Sequence, residues 1–214
     1  MTAIYLFSGL GADERAFSRL IFSPFQVFYI AWERPGPQES IQVYAQRIAK
    51  QITAPNPILI GLSFGGIMAI EVSKQLPSYQ QLILISSVKT KHEIPWYYRW
   101  AGKLRLDSII PTGLLKSANP FIYWLFGLKA KEDKTLFKAM LKDADAVFMK
   151  WAIRQILTWP NEQIPYPLLH IHGEKDKLLP IHFIKNAIQV ADAGHFMIYI
   201  QATKIQAQIS QQFS

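Results

Sequence analysis

Short runs of contiguous apolar residues recur along the chain, separated by stretches in which apolar positions fall three and four apart. The runs Ala3 to Phe7, Val27 to Ala31, Ile58 to Ile60, Leu82 to Ile85, Leu168 to Ile171 and Ala187 to Val190 predict six strands. They are hydrophobic throughout rather than alternating, so both faces of each strand should be covered, as in a mainly parallel sheet flanked by helices. The intervening periodicity predicts helices over Asp13 to Leu20, Ser40 to Ile52, Gly65 to Gln75 and Thr203 to Gln212. In the second of these, Ile41, Tyr44, Ala45, Ile48 and Ile52 form one apolar face behind a candidate N-cap at Ser40.

The alternation stops after Ser87 and resumes at Pro167. A gap of that length is too long for a structureless loop in a compact domain, so it is expected to carry structure of its own. Leu136, Met140, Val147 and Trp151, with Phe137, Leu141, Phe148, Ala152 and Ile156, predict one or two amphipathic helices between Glu132 and Trp159, with a break at Asp143 or Asp145. Residues 88–166 are therefore read as a helical cap inserted into an α/β core of residues 1–87 and 167–214. The aromatic clusters Trp96-Tyr97-Tyr98-Arg99-Trp100 and Phe121-Ile122-Tyr123-Trp124-Leu125-Phe126 are expected to be the packing surface of that cap.

Composition narrows the chemistry. A chain of 214 residues, half of them apolar, suits one α/β domain with an insertion and is too short for two full domains. It has no cysteine, which leaves out disulfides, thiolate metal sites and cysteine nucleophiles. No basic segment followed by a long apolar one opens the sequence, and no run of about 20 apolar residues occurs, so the expectation is a cytoplasmic protein without a membrane span. The formal charge of +8 is concentrated: residues 88–160 hold 13 Lys and Arg against 6 Asp and Glu. No helix-turn-helix or RNA-binding signature accompanies it, so a nucleic-acid partner is not expected.

The run Gly61-Leu62-Ser63-Phe64-Gly65, directly after the apolar Ile58 to Ile60, fits the G-x-S-x-G turn in which a serine is exposed between a strand and a helix. By itself the pentapeptide also fits an ordinary glycine-rich turn. A serine hydroxyl is a poor nucleophile at neutral pH and needs a base, itself oriented by a third group. His195, in Ala193-Gly194-His195-Phe196 after the last strand, is the candidate base, whereas His170 falls within a strand, His182 at the start of a surface helix and His92 in the basic segment. Asp176, after the strand that ends near Gly173, is the candidate orienting acid, with Glu174 and Asp192 as the competing carboxylates. The backbone amides of Phe64 and of Leu10, in Ser8-Gly9-Leu10-Gly11, are candidate oxyanion donors. If the second and third strands lie on opposite sides of the first, that loop and Ser63 face each other.

Outside residues 88–166 the chain resembles the α/β-hydrolase fold family. The resemblance rests on the elbow with Ser63, on His172 to Pro180 as the H-G-x-x-D-x-x-x-P stretch with Asp176, and on Gly194-His195 after the last strand. It implies the order nucleophile, acid, base seen here, and a small six-stranded version of the fold that begins at the strand normally third. The family's first loop is often H-G-x-G, and Ser8 stands where that histidine would be, which leaves the hydrogen bonding that shapes the loop open.

These residues point to hydrolysis of an ester or thioester through an acyl-enzyme, with no metal or organic cofactor needed. The substrate is expected to be a small to medium molecule with an apolar acyl part, which an anionic group could accompany. Two other readings stay open: a non-catalytic binding or membrane-surface module using the basic aromatic cap, and a metal-dependent hydrolase built on His170, His172, Asp176 and His182.

Overall fold

A computed structural model describes residues 2–109 and 111–212. Six strands, β1 (Ala3–Phe7), β2 (Gln26–Tyr29), β3 (Ile58–Leu62), β4 (Gln81–Ile85), β5 (Leu168–Gly173) and β6 (Ile188–Val190), form one sheet of order β2-β1-β3-β4-β5-β6 in which every described pairing is parallel. Parallel neighbours need crossovers, and these are supplied by α1 (Ile41–Ala49), α2 (Phe64–Ser73) and the helices between β4 and β5. Ser40 caps α1, its side chain accepting from the Val43 amide.

The central strands are buried on both faces, which is why their sequences are not alternating. Ile4, Leu6, Ile58, Ile60, Ile83 and Ile85 pack on one side, towards α8 (Met197–Ile200) and α9 (Ala202–Ser210). Tyr5, Phe7, Leu59, Leu82 and Leu84 pack on the other, against α1 and α2. All ten residues of α2 are buried, so it shows no polar face. Its one carboxylate, Glu71, is met by the Lys74 ammonium at 2.6 Å and the Trp159 indole N–H at 2.8 Å.

Between β4 and β5 lie α3 (Trp96–Lys103), α4 (Thr112–Leu115), α5 (Pro120–Phe126), α6 (Lys131–Asp143) and α7 (Ala146–Thr158). The two amphipathic helices meet at Ala144 and Asp145, and Asp145 caps the second by accepting from the Phe148 amide. Phe137, Met140 and Leu141 of α6 and Phe148 and Ala152 of α7 are buried against the sheet layers, so these helices share the core of the strands.

Two expectations need correction. The helix predicted over Asp13 to Leu20 is a single 3-10 turn at Glu14–Phe17, capped by Asp13, whose carboxylate takes both the amide and the guanidinium of Arg15. The Arg15 carbonyl accepts from the Ser18 amide and hydroxyl rather than from the amide four residues on, and such local bonding competes with helical hydrogen bonds, while Ala16 and Phe17 are held in the core. The aromatic clusters are not wholly a packing surface: Trp96, Trp100, Phe121 and Trp124 are exposed, while Tyr98 and Phe126 turn inward.

Candidate active site

The sheet order places a switch point between β1 and β3, since the chain leaves β1 for β2 on one side and returns to β3 on the other. Ligands of open parallel sheets bind outside the carboxyl ends of strands at such a point. Ser63 stands there, immediately after β3 and at the N-cap of α2. Its φ of 52° lies in the left-handed region, a conformation that costs an L-residue of order 1–3 kcal/mol and projects the side chain out of the turn. The crowding explains two glycines. A Cβ at Gly61 would strike Gly65 and Gly66, and one at Gly65 would strike the carbonyl oxygens of Phe7 and Ser8.

His195 follows β6 on a loop, with its ring edge-on to Phe126 of α5 and only 2% of its surface exposed. Its Nε2 lies 2.8 Å from Ser63 Oγ and its Nδ1 lies 2.7 Å from Asp176 Oδ2. The second carboxylate oxygen accepts from the amides of Leu178 and Leu179 at 2.9 and 2.8 Å. Burial would raise the Asp176 carboxyl, but the charge and hydrogen bond of His195, with His172 and the Leu179 amide, outweigh it and hold the group below the usual carboxylate range. An ionised carboxylate only accepts. An imidazole proton of His195 therefore belongs on Nδ1, facing the carboxylate, and the Nε2 side faces the Ser63 hydroxyl.

The two amides expected to hold an oxyanion are also near the serine. Phe64 opens α2, so its N–H has no intrahelical acceptor. The loop after β1 passes close by: a Cβ at Gly9 would sit 3.4 Å from that of Ser63, and Leu10 lines the same cavity as the serine. The Ser8 hydroxyl, where the family's histidine is absent, accepts from the Trp32 indole at 2.8 Å and so ties this loop to the segment after β2.

The competing residues lie elsewhere. Asp192 is paired with Lys175 at 2.5 Å on the surface, and Glu174 is exposed. His170 is buried beside Ser87, its Nε2 3.0 Å from that carbonyl, and burial pushes its pKa well down. His182 lies on a 3-10 turn, and His92 is exposed near Glu162. Among the described residues no three His, Cys, Asp or Glu side chains are grouped so as to hold a metal ion.

Two supporting contacts escaped the sequence reading, one of them made by His172, which enters there only as part of the motif and as a metal ligand. His172 donates from Nε2 to the Leu179 carbonyl at 2.8 Å and lies 3.4 Å from Asp176 Oδ2, fixing the loop that carries the acid. Its place in the His172-Gly173 pair was the available signal. Ser87 donates to the Ser63 carbonyl at 2.7 Å, and nothing in Ser86-Ser87 announced it.

Ser63 opens into a cavity of about 380 Å³. Its walls come from α5 through Ile122, Leu125 and Phe126, from α7 through Ile153, Ile156 and Leu157, and from Tyr98 of α3. Besides Ser63, the polar side chains of the lining are Tyr98 and Ser117, and no lysine or arginine is among them. Burial, then Tyr97 and the Asp176 charge, push the Tyr98 phenol up to about 12, so it stays protonated.

No protein-family model and no curated sequence matches the chain. Solved structures do. A lipase-esterase related protein from Clostridium acetobutylicum superimposes with a TM-score of 0.71 at 15% identity, over 98% of this chain and 93% of that one. A thermophilic esterase from Thermogutta terrifontis gives 0.69 at 16%, over 100% and 89%. An N-acyl homoserine lactonase solved with N-butanoyl homoserine gives 0.72 at 12%, over 100% and 89%. At such identities the shared property is the architecture.

Proposed function

Given that this chain has the α/β-hydrolase fold, we propose that it is a serine hydrolase that cleaves an ester or thioester with an apolar acyl group. What carries this reading is the continuous hydrogen-bonded path from Ser63 through His195 to Asp176, at 2.8 and 2.7 Å, opening on an apolar cavity. Neutral His195 takes the Ser63 proton on Nε2 as Oγ attacks the carbonyl carbon. The resulting oxyanion is held by the Leu10 and Phe64 amides at the positive end of α2. His195 then returns the proton to the departing alkoxide or thiolate. Water, deprotonated by the same imidazole, releases the acid and restores Ser63.

The cavity suits a neutral hydrocarbon acyl group of small to medium size, since such sites are commonly about 300–1,000 Å³. With no cation in the lining, the basic residues of 88–160 belong outside the acyl pocket. In this reading residues 88–166 serve as the cap that shapes it. Two of the solved structures that share the fold are an esterase and an N-acyl homoserine lactonase by their printed names, which supports the bond type.

The test is covalent. A fluorophosphonate should label the purified chain once, at Ser63, and abolish hydrolysis of activated acyl esters, while Ser63→Ala takes no label. A folded wild-type protein that neither reacts with the probe nor cleaves any ester would overturn the assignment.

A further inference from the structure

Helix α5 is unlike the rest of the surface. Its sequence, Pro-Phe-Ile-Tyr-Trp-Leu-Phe, contains no charged side chain, yet none of the seven residues is fully buried. Ile122, Leu125 and Phe126 line the cavity, while Phe121 and Trp124 stack on each other outside it with ring centroids 5.8 Å apart. Helix α3 is two-sided in the same way. Tyr98 lines the cavity, and Trp96 and Trp100, one turn apart, are 61% and 58% exposed. Leu104, Leu106 and Ile109 continue the exposed apolar run beyond α3. A helix that is apolar all round is normally covered all round, and large exposed apolar patches mark interaction sites.

This exposure is local. Of the 15 large hydrophobic side chains exposed among the described residues, eight lie within residues 94–131. The same stretch holds Arg99, Lys103, Arg105, Lys116, Lys129 and Lys131 and a single acid, Asp107. That acid is buried and paired with Arg154 at 3.1 Å, so the outer face of this stretch offers aromatics and bases without an exposed carboxylate among the described residues. The bases accompany the rings: Lys103 Nζ is 5.5 Å from the Trp100 ring and Lys177 Nζ is 4.4 Å from that of Trp124.

Charge decides between occupants. A second copy laid face to face would set these bases against their own images, whereas an anionic lipid surface accepts ammonium groups at headgroup level and Trp and Phe at the acyl boundary. We propose that the outer faces of α3 and α5, with Leu104, Leu106 and Ile109, form a docking surface for an anionic lipid membrane. The attachment is peripheral, since no helix among the described residues is long and apolar enough to cross a bilayer. The inner faces of the same two helices wall the cavity, so a lipid-dissolved molecule would be separated from Ser63 by the thickness of one helix. Docking itself does not depend on the hydrolase reading.

Flotation of the full chain with phosphatidylcholine vesicles, and with vesicles containing phosphatidylglycerol, at low and high salt tests this. The expected result is recovery with the anionic vesicles only, weakening as salt rises. Trp100→Ser combined with Trp124→Ser should weaken binding by about tenfold or more. Lys103→Glu should cost about fivefold or more while sparing the fold, since Lys103 is exposed. Four results would overturn the proposal: no recovery with anionic vesicles, equal recovery with both kinds at every salt, binding unchanged by these substitutions, or retention by a single-stranded oligonucleotide in place of vesicles. A concentration-dependent dimer broken by the paired Trp substitutions would also overturn it and assign the face to self-association.

Discussion

The hydroxyl of Ser87, two residues beyond β4, donates to the backbone carbonyl of Ser63 at 2.7 Å, and the Ser87 carbonyl in turn lies 3.0 Å from Nε2 of His170 on β5. The elbow is therefore braced by the neighbouring strands as well as by its own turn. Ser87→Ala leaves the Ser63 carbonyl its bond from the Gly66 amide. It should cost about 1 kcal/mol of stability and lower kcat more than it raises KM. Denaturant titration and steady-state kinetics on an activated ester would measure both, and an unchanged kcat would show that the brace has no part in placing the nucleophile.

Asp176 is the only one of the three competing carboxylates in contact with His195. Asp176→Asn keeps the shape but can donate to Nδ1 and so favours the wrong tautomer; kcat should fall by about 10⁴-fold. Glu174→Ala and Asp192→Ala should leave kcat within a factor of about two, as expected of exposed sites. Loss of activity on removing Asp192, with Asp176→Asn active, would transfer the role.

Gly65 tolerates no side chain. A methyl group there would meet the carbonyls of Phe7 and Ser8, which are backbone and cannot swing away. Gly65→Ala should destabilise the fold by about 1–3 kcal/mol and remove activity, read by thermal melting and fluorophosphonate labelling. Full labelling at an unchanged melting temperature would contradict the packing described for the elbow.

Ile153 of α7 is half-buried and lines the cavity at Ser63. Ile153→Trp should fill the cavity's space and shift the preferred ester towards shorter acyl chains with little change for acetyl. A chain-length series of p-nitrophenyl esters checks this, and a uniform loss at every length would indicate damage to the site rather than shortening of the pocket.

His170 supplies a pH dependence of stability. Burial, with Lys89 and His172 nearby, holds its folded pKa well below the ordinary 6.5, so the unfolded chain binds the proton first. Its contribution is complete above about 6.5 and is lost as pH falls towards the folded value. His172, lowered by burial against the pull of Asp176, acts in the same direction. The melting temperature should drop between neutral and mildly acidic pH, and His170→Gln should flatten that slope. Equal slopes in the two proteins would remove His170 as its source.

The sheet was legible because continuous apolar runs state that both faces are covered, and Ile58 to Ile60 or Leu82 to Ile85 have no other stable use. That Ser63, Asp176 and His195, the residues proposed as the site, come together was open to anticipation, since each stands beyond such a run. What periodicity could not convey was competition from local polar groups, as at Ser18, whose hydroxyl takes the Arg15 carbonyl where a longer helix was expected. Nor could it tell an aromatic that packs from one that faces solvent: Tyr98 and Trp100 are two residues apart on α3 and lie on opposite sides of it. Ser87 and His172 act through contacts between strand ends that only the pairing of β3, β4 and β5 creates.

Phe137, Leu141 and Met149 each line the cavity at Ser63 and are also buried in the core beneath the sheet. Widening the cavity at any of them withdraws a strut from the scaffold, whereas Leu125 and Ile153 are only half-buried. Drift in substrate preference should thus follow an uneven route, with early changes gathering at positions 125 and 153 and changes at 137, 141 and 149 arriving only after a stabilising substitution elsewhere has made room for them.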